Sequence, residues 1–471
     1  MLESFNQFLL TVNDYVWGLP LIILIMAVGL LLTARLHLLQ VRHLGKALKY
    51  MVKNEEEGEG EVSSFGALCT ALSATIGTGN IVGVATAVCA GGPGALFWMI
   101  VAAFLGMATK FAEGVLAVKY RVVDKDNHAL GGPFYYIERG MGKNWKWLAK
   151  IFAFFGVCVG LMGIGTFTQV NGISSAVQNF FDPNQAYAVT LFGREYSWFV
   201  VIAGLVVTVC AALVVIGGIQ RIASVSQIVV PFMAILYVVT CLILLLCHVT
   251  EIPNAIATVV YGAFNPRAVT GGLVGSMTVA MQKGVARGIF SNESGLGSAP
   301  IAAAAAKTKE PVRQGLVSMT GTFIDTIIIC TMTGLSIVIT GAWQVEGLEG
   351  VEVTTYAFQN GLPFSSTISA AILMICLVFF AFTTILGWDY YSERCLEYLC
   401  GGSRKGVPIF RWIFILAIFI GPYMTVEAVW TIADIFNGAM AFPNLVALFA
   451  LNGVVVAETR SFLKRIHGQS H

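Results

Sequence analysis

The sequence predicts an all-α polytopic membrane protein with eleven transmembrane helices. Of its 471 residues, 57% are hydrophobic and only 11% are charged, and the mean hydropathy is +0.78. Soluble proteins carry about 25% charged residues, so this chain has too little polar surface to cover a water-soluble globule. Eleven segments also reach the ~20 mostly apolar residues that a bilayer crossing requires.

The predicted spans follow one another along nearly the whole chain, and no soluble domain is appended. They cover residues 17–38, 66–90, 93–118, 149–180, 197–219, 225–248, 272–290, 314–341, 366–391, 408–424 and 430–457. Lys283 and Arg287 interrupt the 272–290 span. The longest polar segments, 39–65 and 119–148, are expected to be amphipathic connectors, and the run KNEEEGEGE (53–61) to be solvated.

The distribution of Lys and Arg predicts an outside N-terminus and a cytoplasmic C-terminus. The basic residues of segments 35–53, 119–146, 307–313, 404–405 and 460–465 then all face the cytoplasm. Of the 28 Lys and Arg residues, only Arg194 and Arg267 are assigned to the outside. This asymmetry follows the positive-inside rule, and a single missed span would destroy it.

The second span contains an interruption, ATIGTGNIVG (74–83). Glycines weaken a helix interior, and an asparagine is costly in hydrocarbon. Unwinding at Gly77–Asn80 would free N–H groups for a carboxylate, and carbonyls around Ser73 to Ile76 for a small cation. Gly79 and Gly83 also have the GxxxG spacing, so close helix packing is the competing interpretation. No strand precedes these glycines, which excludes a nucleotide-binding fingerprint.

A second interruption is predicted within GSMTVAMQKGVARGIFSNESGLGSAP (275–300). Each interrupted helix opens a block of five spans. Because five is odd, the second block must be inverted relative to the first, and paired broken helices in inverted blocks indicate a secondary transporter. The predicted organisation is an N-terminal helix and connector (1–65), a first repeat (66–250), a second repeat (251–457) and a cytoplasmic tail (458–471).

Four polar side chains lie within otherwise apolar spans. Thr383 and Thr384, in FFAFTTILGWDYY (379–391), either bond back to carbonyls of their own helix or supply two oxygen ligands to a cation. The freed carbonyls of the first interrupted helix favour the cation. Gln169 and Asn171 either tie helices together or line a cavity.

Few charged residues are predicted at membrane depth. Lys110 and Glu113 are one helical turn apart and are expected to pair near the cytoplasmic end. Asp325 is a candidate proton site, or a carboxylate satisfied by neighbouring hydroxyls such as Thr322 or Thr326.

Several classes of function are excluded by what the sequence lacks. The ten cysteines are scattered without metal-ligand spacing and are expected to be free thiols. The sequence shows no metal constellation, no Ser/His/Asp arrangement at one depth and no soluble catalytic domain, so an enzyme is not expected. Two inverted blocks with broken lead helices argue against a simple channel or a receptor.

Three long motifs occur in a characteristic order: GALCTALSATIGTGNIVGVATAVCAGGPGALFWM (66–99), GGPFYYIERGMG (131–142) and FSNESGLGSAPIAAAAAKT (290–308). They closely resemble the motifs of the alanine or glycine:cation symporter family, the bacterial and archaeal sodium/alanine symporters. The resemblance runs from about residue 60 to residue 457. It implies membership of the amino-acid/polyamine/organocation superfamily and a LeuT-type 5+5 inverted repeat, here with one additional N-terminal helix.

The resemblance also implies roles for individual residues. Gly77, Thr78 and Gly79 resemble the backbone cradle for a substrate carboxylate, with Asn80 beside it. The implied Na⁺ ligands are the hydroxyls of Thr383 and Thr384 and the carbonyls of Ser73, Ile76 and Phe380. The implied pocket-lining residues are Gln169, Met277, Met281 and Trp388, whose bulky members would limit the substrate side chain to hydrogen or methyl.

The function that the resemblance implies is import of alanine or glycine by Na⁺-coupled symport with alternating access. The expected location is the prokaryotic plasma (inner) membrane. The expected partners are the amino acid and the lipid bilayer, with no nucleic acid, and the chain is expected to act as a monomer. A proton-coupled importer that uses Asp325 is the competing hypothesis.

Overall fold

The computed structural model describes residues 2–53, 58–125, 127–191, 194–264, 277–424 and 426–468. Several predicted features lie at least partly outside the described residues. These are residues 54–57 of the charge run, Arg267, the first five residues of the 272–290 span, the first two of the interruption at 275–300 and the last three of the tail.

The first half of the chain is almost entirely helical. Its helices are α1 (Leu2–Val16), α2 (Leu19–Arg35), α3 (Leu39–Arg42), α4 (Leu44–Val52), α5 (Ser64–Thr75), α6 (Val84–Gly91), α7 (Gly94–Tyr120), α8 (Pro133–Tyr136), α9 (Lys146–Met162), α10 (Phe167–Phe181), α11 (Trp198–Val215) and α12 (Gly218–Cys247). A π-helical turn at Gly79–Gly83 leads into α6, and another at Ile137–Met141 follows α8. Two short antiparallel hairpins, β1 (Val122–Val123) with β2 (Ala129–Leu130) and β3 (Ala188–Leu191) with β4 (Arg194–Ser197), connect helices.

The second half continues in the same way. Its helices are α13 (Ile252–Phe264), α14 (Met277–Asn292), α15 (Ala299–Ala304), α16 (Pro311–Thr322), α17 (Thr331–Ile339), α18 (Val351–Gly361), α19 (Ser366–Leu399), α20 (Val407–Ile420) and α21 (Val426–Gly468). A π-helical segment, Phe323–Cys330, joins α16 to α17. Short 3₁₀ turns lie at Lys143–Trp145, Ala342–Gln344, Arg404–Gly406 and Gly421–Tyr423.

The described helices match ten of the eleven predicted spans. Nine helical segments are long and apolar enough to cross a membrane, and the bent pair Ser64–Thr75 and Gly79–Gly91 makes a tenth. At the remaining predicted span, 272–290, the described helix begins at Met277, so the count of eleven is not confirmed. The charge of Arg287 in this span is paired with Asp434 of α21 at 2.7 Å.

Both predicted interruptions are present as breaks in helices. The first break (residues 76–78) separates α5 from the π-helical turn before α6, and the two parts are bent by 53°. The second break (residues 293–298) separates α14 from α15. There Glu293, Gly295 and Gly297 adopt left-handed backbone conformations with φ of +57°, +86° and +83°.

The two broken helices pack side by side in opposite directions. A Cβ atom placed on Gly79 would lie 3.2 Å from Cα of Ser291, near the end of α14. A Cβ atom on Gly91 would lie 3.2 Å from Cα of Ala280, near the start of α14. Later residues of one helix therefore meet earlier residues of the other, which is the arrangement that inverted blocks predict. The exact repeat boundaries, 66–250 and 251–457, stay predictions.

The segments 36–63 and 121–145 meet at one end of the helices, which we call the connector side. Their contact is direct, because Arg121 Nη2 donates to the carbonyl of Glu59 at 2.7 Å. The start of α5 and the end of α15 also lie here, joined by an isolated bridge between Val62 and Ala306. At the opposite end, a cavity of about 170 Å³ lies between α10, α18 and α19.

Candidate functional site

The first break depends on glycine because two helices approach it closely. A Cβ atom on Gly77 would overlap the hydroxyl of Thr384, and one on Gly79 would press against Ser291. By contrast, a Cβ atom on Gly83 would meet nothing within 4 Å. Gly79 therefore permits close packing against α14, as the competing interpretation predicts, whereas Gly83 does not contribute to that packing.

Two side chains satisfy the N–H groups that the first break releases. The N–H of Gly77 donates to Asn80 Oδ1 at 2.9 Å, and the N–H of Thr78 donates to Gln169 Oε1 at 3.1 Å. The hydroxyl of Thr78 is buried and has no hydrogen-bond partner among the described residues. Gln169 thus lies at the break, whereas Asn171 donates to the carbonyl of Met424 at 3.3 Å and ties two helical segments together.

Asn80 links the first break to the buried carboxylate of Asp325. Its Nδ2 donates to Asp325 Oδ1 at 2.7 Å, while Ser291 and Thr326 donate to Oδ2 at 2.9 and 2.7 Å. The prediction that Thr326 satisfies Asp325 is confirmed. Thr322 is not a partner, because its hydroxyl is paired with Ser294 at 3.0 Å.

Oxygen atoms from the first break and from α19 converge beside Thr384. Its hydroxyl lies 3.3 Å from the carbonyl oxygen of Ile76 and 3.0 Å from that of Phe380. The hydroxyl of Thr383 donates to the same Phe380 carbonyl at 3.0 Å. Both threonines therefore bond back to their own helix, and Thr384 also reaches the broken helix. Ser73 lies on α5, where its hydroxyl donates to the carbonyl of Thr70 at 2.7 Å.

Trp388 connects α19 to the second break. Its indole Nε1 donates to Glu293 Oε1 at 2.9 Å, and Ser298 donates to the other carboxylate oxygen at 2.5 Å. Glu293 is not among the site residues predicted from the sequence, although it lies inside the predicted interruption. A carboxylate among glycines at membrane depth was the available signal.

Glu113 supports the second break from α7. Its Oε1 accepts from the N–H of Gly295 at 3.1 Å and from Asn444 Nδ2 at 2.7 Å. The Nζ atom of Lys110 is buried and has no hydrogen-bond partner among the described residues. The prediction that Lys110 and Glu113 pair directly is therefore wrong, because the glutamate binds backbone and amide groups that sequence spacing does not reveal.

The two methionines predicted to line the pocket are not brought to the first break. Met281 lies ten residues before Ser291, which is about 15 Å along α14, and packs against the main hydrophobic core. Met277 lies at the start of α14 with 41% of its surface exposed. Trp388 is fully buried and is the stronger candidate for a side chain that limits the size of the substrate.

On the connector side, residues 59–62 are bonded to residues 304–308, and Arg121 binds both segments. We call these three parts the latch. The N–H groups of Glu61 and Val62 donate to the carbonyl of Ala305 at 2.8 and 3.1 Å. The guanidinium of Arg121 donates to the carbonyls of Ala304, Ala306, Thr308 and Glu59 at 2.6 to 2.9 Å. These bonds hold the start of the first broken helix against the end of the second.

An ionic network lies beside the latch. His128, in the β1–β2 hairpin, contacts Glu61 at 3.2 Å and Glu397 at 3.0 Å, and Arg394 pairs with both glutamates. Burial disfavours the charged imidazole, but the hydrogen bonds to Glu397 and Glu61 outweigh it and raise the pKa of His128. Burial also opposes ionisation of Glu61, but the bond to His128 and the charge of Arg394 lower its pKa.

Two antiparallel broken helices, with a polar site at their breaks, define a membrane transporter of the LeuT fold. The crystal structure of MhsT in complex with L-phenylalanine matches this fold with a TM-score of 0.56. The two sequences are 14% identical, and the match covers 85% of this chain and 98% of the MhsT chain. The predicted fold class is therefore confirmed.

The chain belongs to the sodium:alanine symporter family, whose model matches residues 2–471. It is 47% identical to the sodium/alanine symporter AgcS of Methanococcus maripaludis over 96% of each chain. It is 35% identical to the probable sodium/glutamine symporter GlnT of Bacillus subtilis, over 96% of this chain and 90% of that protein. The protein is thus an amino-acid symporter and not an enzyme, as predicted. The ten cysteines are free, also as predicted.

Proposed function

We propose that this chain imports small neutral amino acids, alanine or glycine, by Na⁺-coupled symport with alternating access. The observation that carries the proposal is the chemistry of three consecutive residues at the first break. The Ile76 carbonyl lies beside the Thr384 hydroxyl, and the N–H groups of Gly77 and Thr78 follow directly. Ligands for a cation and donors for a carboxylate are therefore adjacent along the backbone.

The proposed Na⁺ ligands are oxygens of neutral groups, which suit a hard monovalent cation. They are the carbonyls of Ser73, Ile76 and Phe380 and the hydroxyls of Thr383 and Thr384. Binding of Na⁺ would replace the weak 3.3 Å contact between Thr384 and Ile76 with two ion–oxygen contacts. The positive charge would also favour a carboxylate at the adjacent N–H groups, and this coupling is reciprocal.

The proposed carboxylate site is built from Gly77, Thr78 and Gly79. Thr78 contributes a buried hydroxyl without a partner among the described residues, which is available to donate. We infer that the substrate carboxylate takes the place of Gln169 Oε1 at the N–H of Thr78. Asn80 Oδ1 releases the N–H of Gly77 to the carboxylate, while its Nδ2 keeps the bond to Asp325 and holds the break in shape. Trp388 limits the length of the substrate side chain.

The relatives support sodium more uniformly than they support one amino acid. AgcS is named for sodium and alanine, and GlnT for sodium and glutamine. The amino acid that this chain carries therefore has to be measured and cannot be taken from the name of a relative. The bonds of the latch fit a state of an alternating-access cycle in which the connector-side ends of the two broken helices are held together, with the connector side cytoplasmic.

The test is uptake of labelled alanine, glycine and glutamine into proteoliposomes under inward Na⁺, Li⁺ or H⁺ gradients. We expect alanine or glycine uptake that requires Na⁺ and persists when a protonophore collapses the proton gradient. Uptake of glutamine alone would contradict the substrate, and uptake driven equally by each gradient would contradict sodium coupling.

Proton coupling through Asp325 is a second candidate function. It is favoured by the bonds from Asp325 through Asn80 to the N–H of Gly77, which connect its carboxylate to the first break. If protons drive transport, a protonophore should abolish uptake at a clamped Na⁺ gradient. Uptake by an Asp325→Asn variant should then no longer be coupled to protons.

A further inference from the structure

Asp389 is a buried carboxylate that the proposed transport site does not use. It lies on α19, five residues after Thr384, and its side chain is fully buried. Neither carboxylate oxygen has a hydrogen-bond partner among the described residues. An ionised carboxylate without donors is very costly to bury, so its charge has to be neutralised.

The neighbouring charges do not neutralise Asp389. One turn further along α19, Glu393 is paired with Arg411 of α20 through Nε to Oε1 and through Nη2 to Oε2 at 3.0 Å. The remaining Nη1 of Arg411 donates to the carbonyl of Ile216 at 3.3 Å. The charged groups that act on Asp389 are Glu393 on its own helix and Arg411 on α20. Two carboxylates therefore share one guanidinium, which leaves one negative charge.

We propose that Asp389 and Glu393 form a proton-binding site that holds one proton between them. Glu393 lies one helical turn after Asp389 on the same face of α19, where side chains four residues apart are neighbours, but two ionised carboxylates have no donor between them. One proton supplies that donor and removes the excess charge in a single step. A metal ion would need several more oxygen ligands than these two carboxylates.

The site has a path to the connector side. Exposure of the side chains rises from 0% at Asp389 to 9% at Glu393 and 23% at Arg411. Arg411 lies on the first turns of α20 and reaches the end of α11 at Ile216, both at the connector side. A proton can therefore exchange with the solution there through Glu393 without passing the transport site.

The site is mechanically connected to transport through α19. This helix also carries Thr384, which contacts the first break, and Trp388, which contacts the second. Protonation at Asp389 therefore changes the packing of the helix that joins both breaks, and transport senses pH at the connector side. The proposal holds for any driving ion and any amino-acid substrate.

The test compares the wild type with Asp389→Asn, which resembles the protonated carboxyl permanently. In membrane vesicles of defined orientation, Na⁺-driven uptake is measured while pH is varied separately on each side. We expect the wild type to respond to pH on the connector side and Asp389→Asn to lose that response. Infrared difference spectra across a pH titration should show a component of the protonated-carboxyl carbonyl stretch that is present in the wild type and missing in Asp389→Asn.

Tyr390→Phe is the matched control, because Tyr390 follows Asp389 in sequence and its hydroxyl is also buried without a hydrogen-bond partner in the described part of the chain. This variant should keep both the pH response and the infrared band. Identical pH profiles for the wild type and Asp389→Asn, or an unchanged band, would overturn the proposal. A pH response that only His128→Gln removes would assign it to the latch network and overturn it as well. The infrared measurement needs no transport, so it separates this proposal from a failure of the proposed substrate.

Discussion

The hydroxyl of Thr384 lies where the broken helix and α19 share an oxygen cluster. Its hydroxyl lies between the carbonyls of Ile76 and Phe380, whereas that of Thr383 contacts its own helix and Met233 Sδ at 3.5 Å. The two threonines are adjacent in sequence but not equivalent in their contacts. Substitutions at these two positions should therefore differ in effect.

We predict that Thr384→Ala raises the Na⁺ concentration required for half-maximal alanine uptake by about tenfold or more. One oxygen contact to a charged group contributes about 1.5–3 kcal/mol, which corresponds to at least that factor. The measurement is initial uptake rate against Na⁺ at saturating alanine. Thr384→Ser keeps the hydroxyl and should stay near the wild type, and an unchanged Na⁺ dependence in Thr384→Ala would remove Thr384 from the ion site.

A second prediction at this scale concerns side-chain specificity. Trp388→Phe should allow valine and leucine to compete with labelled alanine, because a smaller ring frees space between α19 and the second break. Met281→Ala is the control and should leave the competition profile narrow, since Met281 lies about 15 Å along α14 from Ser291. A narrow profile in Trp388→Phe, or a broad one in Met281→Ala, would reject the steric assignment.

At the scale of elements, the latch joins the connector-side ends of both broken helices. Opening this side requires the bonds between residues 61–62 and 305–307 to break together. Arg121 is the side chain that spans them, since its guanidinium binds four carbonyls from two segments. A lysine cannot reproduce that fork of donors.

We expect Arg121→Ala to loosen the latch without unfolding the helices. Amide hydrogen exchange at Glu61, Val62 and Lys307 should accelerate about tenfold or more, because charge-assisted bonds worth about 1.5–3 kcal/mol each are lost. Arg139→Ala is a suitable control, because Arg139 lies on the same side but stacks on Tyr135. Unchanged exchange in Arg121→Ala would show that the backbone bonds hold the latch alone.

The ionic network beside the latch predicts a pH dependence of stability. The raised pKa of His128 means that its stabilising contribution is complete below the unfolded value of about 6.5 and is lost as pH rises through the folded value. Glu61, with a lowered pKa, contributes above its own unfolded value and loses that contribution in acid. The network should therefore be most stable at weakly acidic pH.

The expected result is a thermal unfolding midpoint that falls between about pH 6 and about pH 9 in the purified protein. His128→Gln should have a lower midpoint at pH 6 and a flatter profile. His248→Gln serves as the control, because His248 directly follows α12. Its unfolding midpoint should follow that of the wild type at each pH. Parallel profiles for His128→Gln and the wild type would show that the histidine charge does not stabilise this network.

At the scale of the whole molecule, the LeuT fold and family membership establish a multi-pass membrane symporter, while its orientation stays a prediction. The basic residues concentrate at the connector side, where the latch, the β1–β2 hairpin and Arg404 meet. The positive-inside rule then places this side in the cytoplasm.

We predict that the C-terminus is cytoplasmic and the N-terminus external. A terminal epitope tag should be detected in intact spheroplasts when it is at the N-terminus and only after permeabilisation when it is at the C-terminus. Detection of both tags from the same side would mean an even number of crossings and would contradict the predicted eleven spans.

The sequence by itself determined the membrane class, ten of the described spans, both breaks and the family. These features depend on local composition: a span is a run of apolar residues, and a break is a cluster of glycines and polar residues within it. The breaks were predictable because helix propensity acts over a few neighbouring residues.

Only the tertiary structure decided which groups meet at those breaks. Gln169 reaches Thr78 across 91 residues and Asn80 reaches Asp325 across 245, and neither pairing leaves a trace in local spacing. For the same reason Glu113 bonds to Gly295 and not to Lys110, one turn away. Buried polar groups take the partner that the packed helices bring within 3 Å, and that choice is made only once the helices have packed.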